Sequence, residues 1–309
     1  MLDRALRISA MVMALFGAVT APSASASVSV VIPDGNTAVA TIALTDANAN
    51  AYSAVVTIAF DQALDLTADS LNLTAQLFDP AMPPGVLPGN VSVDPAFPVV
   101  ITVEPPDVLF MNSYEANQSG DGNLAFFNTY ELEVHTANLA CASSNSSYRL
   151  YKAPHGSNVF ADVTDDLFQG SVRARGRGGA FSQFIVVRDE RPQTLLGVPL
   201  IAAQKLTALT ARLNVATILN PVLLTTLTNA LLNVGTDLAL LNIGAALQDL
   251  QVFIDGVLAG AQSGDIANEW KSDRTLVNDA GELLSLAQTL QFSLRLLQAG
   301  NAVCLPPPS

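Results

Sequence analysis

Apolar residues change their period once along this chain, near residue 193. Up to there apolar and polar residues mostly alternate, the pattern of half-buried strands. Beyond it they return every three or four residues, the pattern of helices packed on one face. A strand-rich first part followed by a helix-rich second part predicts an α+β chain folded as separate domains.

Residues 1–26 carry the three parts of a secretory leader. Arg4 and Arg7 are basic, an apolar run extends from Ile8 to Val19, and Ala24-Ser25-Ala26 fits the small-residue cleavage rule. The run is shorter than the roughly 20 apolar residues a membrane span needs, and it breaks at Pro22. The chain is therefore expected to be exported, to the periplasm or outside the cell, with no stable membrane span after cleavage.

The net charge of −13 narrows the partners. Nucleic acid demands clustered Lys and Arg, so it is not expected. An anionic membrane surface is disfavoured for the same reason. The remaining partner classes are a protein or a glycan. Cys141 and Cys304 are the only cysteines, an even pair in an exported chain, and this predicts a disulfide. It would close a loop of about 160 residues, worth up to roughly 5 kcal/mol in the chain-entropy account.

In residues 27–192, alternating segments fall at 28–32, 37–44, 53–60, 71–78, 99–103, 108–111, 126–135, 148–152, 171–175 and 181–187. Turn-forming Pro33-Asp34-Gly35-Asn36, a Pro-rich stretch at 80–88 and Ser119-Gly120-Asp121-Gly122-Asn123 separate some of them. Short strands without intervening helices predict an antiparallel β-sandwich, immunoglobulin-like or jelly-roll. Asp34-Gly35-Asn36, the alternating strand 37–44 and Ala59-Phe60-Asp61 together resemble the opening of cohesin-type modules. That resemblance implies a secreted β-sandwich with a binding role and assigns no residue.

Residues 193–300 carry four apolar stripes. The first is Leu206, Leu209, Leu213 and Ala216; the second, after Asn220-Pro221, is Leu224, Leu227, Leu231 and Val234. The third runs from Ile243 through Leu247, Leu250 and Ile254 to Val257. The fourth runs from Leu276 through Ala280, Leu283, Ala287, Leu290 and Leu294 to Leu297, with Asp273 as its expected cap. Short joints between them predict an antiparallel four-helix bundle, followed by a tail at 301–309. Asn229, Asn233, Asp237 and Asn242 interrupt the apolar stretch 218–247, which disfavours transmembrane helices.

Three side-chain clusters could carry chemistry. Glu131 and Glu133 share one face of the strand at 126–135; two carboxylates so placed could act as acid and base on a glycoside. The competing reading is the solvated face of an amphipathic strand. Arg173, Arg175 and Arg177 alternate in the same way and could hold an anionic ligand. Their alternative is internal pairing with Asp162, Asp165 and Asp166, one hairpin upstream. Those aspartates, read as an oxygen-rich loop, could instead bind calcium. The two histidines, His135 and His155, exclude a His-rich zinc site. No Gly-x-Ser-x-Gly elbow, Walker loop or Cys-x-x-Cys pair occurs. The expected protein is an exported, non-enzymatic binding, adhesion or surface-structural protein. A carbohydrate hydrolase and a periplasmic assembly factor are the alternatives.

Overall fold

Residue 126 begins a run in which Phe126, Tyr130, Leu132 and Val134 are fully buried, while Glu131, Glu133 and His135 keep partial exposure on the other face. This run lies in β7 (Ala125–Cys141), the longest strand. The computed structural model describes residues 25–106, 124–141, 146–168, 170–195 and 197–299. The expected strand 108–111, the turn 119–123, Cys304, the tail and all but the end of the leader lie outside the described residues. Ser25 and Ala26 already belong to β1 (Ser25–Asp34), paired with Thr45 and Leu44.

β7 is the spine of a seven-stranded antiparallel sheet. On one side it pairs with β3 (Ala51–Leu64), then β2 (Thr37–Thr45), then β1. On the other side it pairs with β11 (Gly170–Gly178), and beyond that lies β10 (Thr164–Phe168). A six-stranded antiparallel sheet faces it. Its order is β4 (Leu73–Leu77), β6 (Val99–Val103), β12 (Ser182–Asp189), β8 (Tyr148–Pro154) and β9 (Ala161–Asp162), with β5 (Val91–Ser92) also on β12. Ile42, Ile58 and Leu132 from the first sheet share one core with Ile101, Leu150 and Phe184 from the second.

Two local features differ from the sequence expectation in this part. Leu71 ends a helical turn, α1 (Ala68–Leu71), because Thr67 and Ser70 cap it reciprocally; the strand begins only at Leu73. Asp162, Asp165 and Asp166 sit on strands, not in a loop. The chain crosses between the sheets at Val163, pairing first with β8 and then with β11.

The second part holds α2 (Leu200–Val215), α3 (Pro221–Ala239), α4 (Ile243–Ser263) and α5 (Asp279–Gln298). A small hairpin, β13 (Thr194–Leu195) with β14 (Val198–Pro199), leads into them. Asn220 caps α3, accepting from the Val222 and Leu223 amides, with Pro221 at the first helical position. Gly264 ends α4 at φ 78°, the left-handed conformation that suits glycine. The helices pack α2 on α3, α3 on α4, α4 on α5 and α5 on α2. Leu209, Leu227, Leu250, Phe253, Leu283, Leu290 and Leu294 form their core. Ile243–Ser263 is long and apolar enough, by length and composition, to cross a membrane; Leu250, Phe253, Ile254 and Val257 are buried against its neighbours.

The final helix starts later than its heptads imply. Asn278 is its N-cap, accepting from the Gly281 amide at 2.7 Å and donating to the Asn128 carbonyl at 2.6 Å. Asp273 instead closes a turn onto Thr275, and Leu276 is 39% exposed. The reason is tertiary. Residues just upstream form β15 (Glu269–Lys271), which pairs with Ala125–Phe127 on β7 and continues the line of β11. The second part therefore gives a strand to the first part's sheet. It also gives Trp270, Phe292 and Leu296 to that sheet's core. The change of period at 193 marks a change of secondary structure, and residues from beyond it contribute to the sheet core. Gly281 lets α5 sit this close, since a Cβ there would lie 2.1 Å from the Asn128 carbonyl oxygen.

Candidate functional site

The clusters read from the sequence come together, but with one another. β7 and β11 are in register, so that Arg173 faces His135, Arg175 faces Glu133 and Arg177 faces Glu131. Opposed side chains on one sheet face are near neighbours. Arg175 lies 3.1 Å from Glu131 and 2.9 Å from Glu133; Arg177 lies 2.6 Å from Glu131 and 2.9 Å from Asp165. The expected acid–base pair and the expected cationic ladder are each other's counter-charges. Arg173 forms no ion pair among the described residues, and its partner His135 bonds Ser171 at 2.6 Å. Burial and the Arg173 charge push the His135 pKa down.

The three aspartates diverge. Asp165 serves Arg177, whereas Asp162 lies 2.6 Å from Lys205 on α2. Asp166 faces the positive fields of Arg175 and Arg295, and burial still raises its pKa. No group of His, Cys, Asp or Glu among the described residues converges as a metal site would. Asp162 lies on β9 of one sheet, and Asp165 and Asp166 lie on β10 of the other. In the separate loop at 46–50, the Asp46 carboxylate accepts from the Asn48 and Asn50 amides at 2.9 and 2.8 Å, as a turn.

A buried polar latch joins the two parts. Lys205 donates to the Thr289 hydroxyl at 2.7 Å and pairs with Asp162, while Arg191 binds Asp189 and Tyr151, both at 2.7 Å. These groups satisfy one another.

A different residue, Lys152, lines a cleft. On β8, period two places Lys152 on the side of Leu150, whose side chain lies in the shared sheet core. The Lys152 stem thus runs inward at the open end of the two sheets. Its Nζ donates to the Ala180 carbonyl at 2.6 Å, the same oxygen that accepts from the Tyr130 hydroxyl at 2.7 Å. It also sits 5.8 Å from the centre of the Tyr130 ring. Burial lowers its pKa to about 8, and the Glu282 carboxylate only partly opposes this.

Lys152 lines a cleft of about 240 Å³ whose floor includes Phe181 and Trp270. Trp270 stacks on Phe126 at 5.3 Å and meets the edge of Phe181 at 5.1 Å, so this floor is held by packing. At the mouth, Glu104 is bracketed by His155 at 2.5 Å and Arg274 at 2.7 Å. Glu282 faces the cleft from the first turn of α5 and is held by Arg212. The arrangement is an apolar floor, one inward amine and a charged rim, features shared by many small-molecule sites. Sequence reading passed over it. The available signal was the inward position of a lysine in an alternating strand, in a chain with only three lysines.

The sequence pattern of a family of unknown function, DUF6689, matches residues 11–298, and the chain belongs to that family. No curated protein and no solved structure matches it.

Proposed function

We propose that this DUF6689 chain is an exported, non-enzymatic binding protein that takes a small, apolar-bodied ligand in the cleft at Lys152. In this reading the two facing sheets are a β-sandwich of immunoglobulin-like or jelly-roll type, and α2 to α5 form an antiparallel four-helix bundle packed on it. The leader-like residues 1–26 support export to the periplasm or beyond. The resemblance of residues 34–61 to cohesin-type openings agrees with a binding role.

The observation that carries the reading is the orientation of Lys152, an amine aimed into a packed apolar cleft with no ion-pair partner among the described residues. A buried cation without a counter-charge is unfavourable, and such groups concentrate at functional sites. The hydrolase alternative has less support, because Glu131 and Glu133 both lie against arginines.

The test is ligand-observed saturation-transfer NMR with benzyl alcohol, a neutral probe of the cleft. Wild-type protein should give a signal, and Leu276→Trp, which crowds the exposed rim, should lose it. An absent signal, or one that Leu276→Trp leaves unchanged, would remove the cleft from consideration.

A further inference from the structure

Two of the three lysines are committed to carboxylates. Lys205 Nζ lies 2.6 Å from Asp162, and Lys271 Nζ lies 3.2 Å from Glu269. Lys152 forms no ion pair among the described residues; its bond to the Ala180 carbonyl uses one of an ammonium's three donors. We propose that the Lys152 amine condenses with aldehydes that have an apolar body, holding them in the cleft as an imine. This rests on the reading of the cleft as a ligand site and names the chemistry of its ligand.

The neutral amine is the nucleophile, and desolvation makes it available near neutral pH. Its nitrogen lone pair attacks the aldehyde carbon; a C–N bond forms as the C–O π bond opens. A proton passes from nitrogen to oxygen through solvent, giving a carbinolamine. Loss of one water yields the imine, so atoms balance and no oxidant or reductant is required.

The groups around the amine suit this step. Tyr130 from β7 shares the Ala180 carbonyl with Lys152 and keeps its own proton, since burial drives its pKa well up. Glu282 from α5 supplies a carboxylate field on the amine, and Arg212 already holds that carboxylate. Glu104, His155 and Arg274 are engaged together at the mouth. Phe181 and Trp270 are left to receive the apolar body.

The experiment treats the exported form of the protein with benzaldehyde and sodium cyanoborohydride, which fixes an imine as a secondary amine. Intact mass gives the number of adducts, and peptide mapping separates Lys152, Lys205, Lys271 and the N-terminal amine. Lys152 should be labelled on the order of tenfold faster than Lys271 at pH 7.5, as expected of an amine whose proton affinity is lowered. The ratio of Lys152 to Lys271 labelling should fall as pH rises past about 8, where the Lys152 amine is already mainly neutral. Lys152→Arg should abolish that adduct and Lys271→Arg should keep it. The mapping on wild type stands even if the Lys152 variant does not fold. Labelling of Lys152 no faster than Lys271, or confined to the N-terminal amine, overturns the inference. Benzyl alcohol separates the two failures. If it binds and Lys152 is not labelled, the cleft stands and the covalent step falls; if neither occurs, both fall.

Discussion

Arg177 and Glu131 are directly opposed in the β7–β11 ladder, with guanidinium and carboxylate 2.6 Å apart. Arg177 also reaches Asp165, whose side chain is only 7% exposed. Burial, reinforced by the charges of Asp166 and Glu131, lifts the Asp165 pKa to about 7 against the pull of Arg177. A carboxylate with a raised native pKa binds more protons folded than unfolded between about pH 4 and 7. Its contribution to stability therefore falls as pH rises through that window.

The first prediction follows from that sign. At pH 8 Asp165 is mainly ionised and Arg177 is its counter-charge. Arg177→Ala should then destabilise by about 3 kcal/mol, the loss expected when one partner of a buried pair is removed. At pH 5 Asp165 is protonated in both proteins, and the loss should shrink to about 1 kcal/mol or less. Urea denaturation at the two pH values checks this. Equal losses would mean that Asp165 stays charged throughout.

Much of the fold was legible because burial is periodic. Alternation located β2, β3, β7, β8, β11 and β12, and the heptads located Leu283, Leu290 and Leu294 in the helical core. Three features were not legible. β15 is three residues long, too short for a period, and exists because β7 extends beyond β11. Sequence proximity pointed to the Arg177–Asp165 pair, but the pairing of Arg175 and Arg177 with Glu131 and Glu133 depends on β7–β11 register. The cleft needs Phe181 just before β12, Trp270 on β15 and Glu282 on α5 brought together from positions far apart in the chain. Only Lys152's strand parity was visible beforehand.

The second prediction concerns the energetic consequence of burying that amine. With a native pKa near 8 against 10.5 ordinarily, the unfolded chain binds more protons between those values. Stability should therefore rise with pH across this window. Lys152→Met removes the desolvated charge and should stabilise the protein at pH 7, by on the order of 1–3 kcal/mol. The gain should fade toward pH 10. Thermal and urea unfolding across pH 7–10 measure it. A variant equally less stable at every pH would show that the Ala180 hydrogen bond matters more than the charge.

The third prediction is that sheets and helices unfold together. α5 places Phe292 and Leu296 in the sheet core and Leu290 and Leu294 in the helical core. The single tryptophan, Trp270, lies in the sheet core although it belongs to the second part. Tryptophan fluorescence should therefore report the sheets, and far-UV circular dichroism near 222 nm mainly the helices. The two transitions should coincide. Leu290→Ala should lower stability by about 2–5 kcal/mol in both signals. A chain of residues 27–192 alone lacks β15, Trp270 and Phe292 and should fail to give a cooperative transition. Independent folding of that piece would overturn this prediction and support separate domains.

The last prediction is a bond from Cys141 to Cys304. Cys141 is the final residue of β7 and is 2% exposed. The sequence holds one other cysteine, Cys304, outside the described residues. Cys141 shares its core cluster with Phe292 and Leu296 near the end of α5. The residues after Ala299 can span up to roughly 17 Å when extended. An exported setting would favour oxidation. Intact-mass analysis should show a gain of two hydrogens on reduction. Alkylation of the denatured protein should modify both cysteines only after reductant. Reduction should lower stability by about 2–5 kcal/mol, the range for a bond closing a long loop. Two alkylated cysteines in denatured, unreduced protein would rule the bond out.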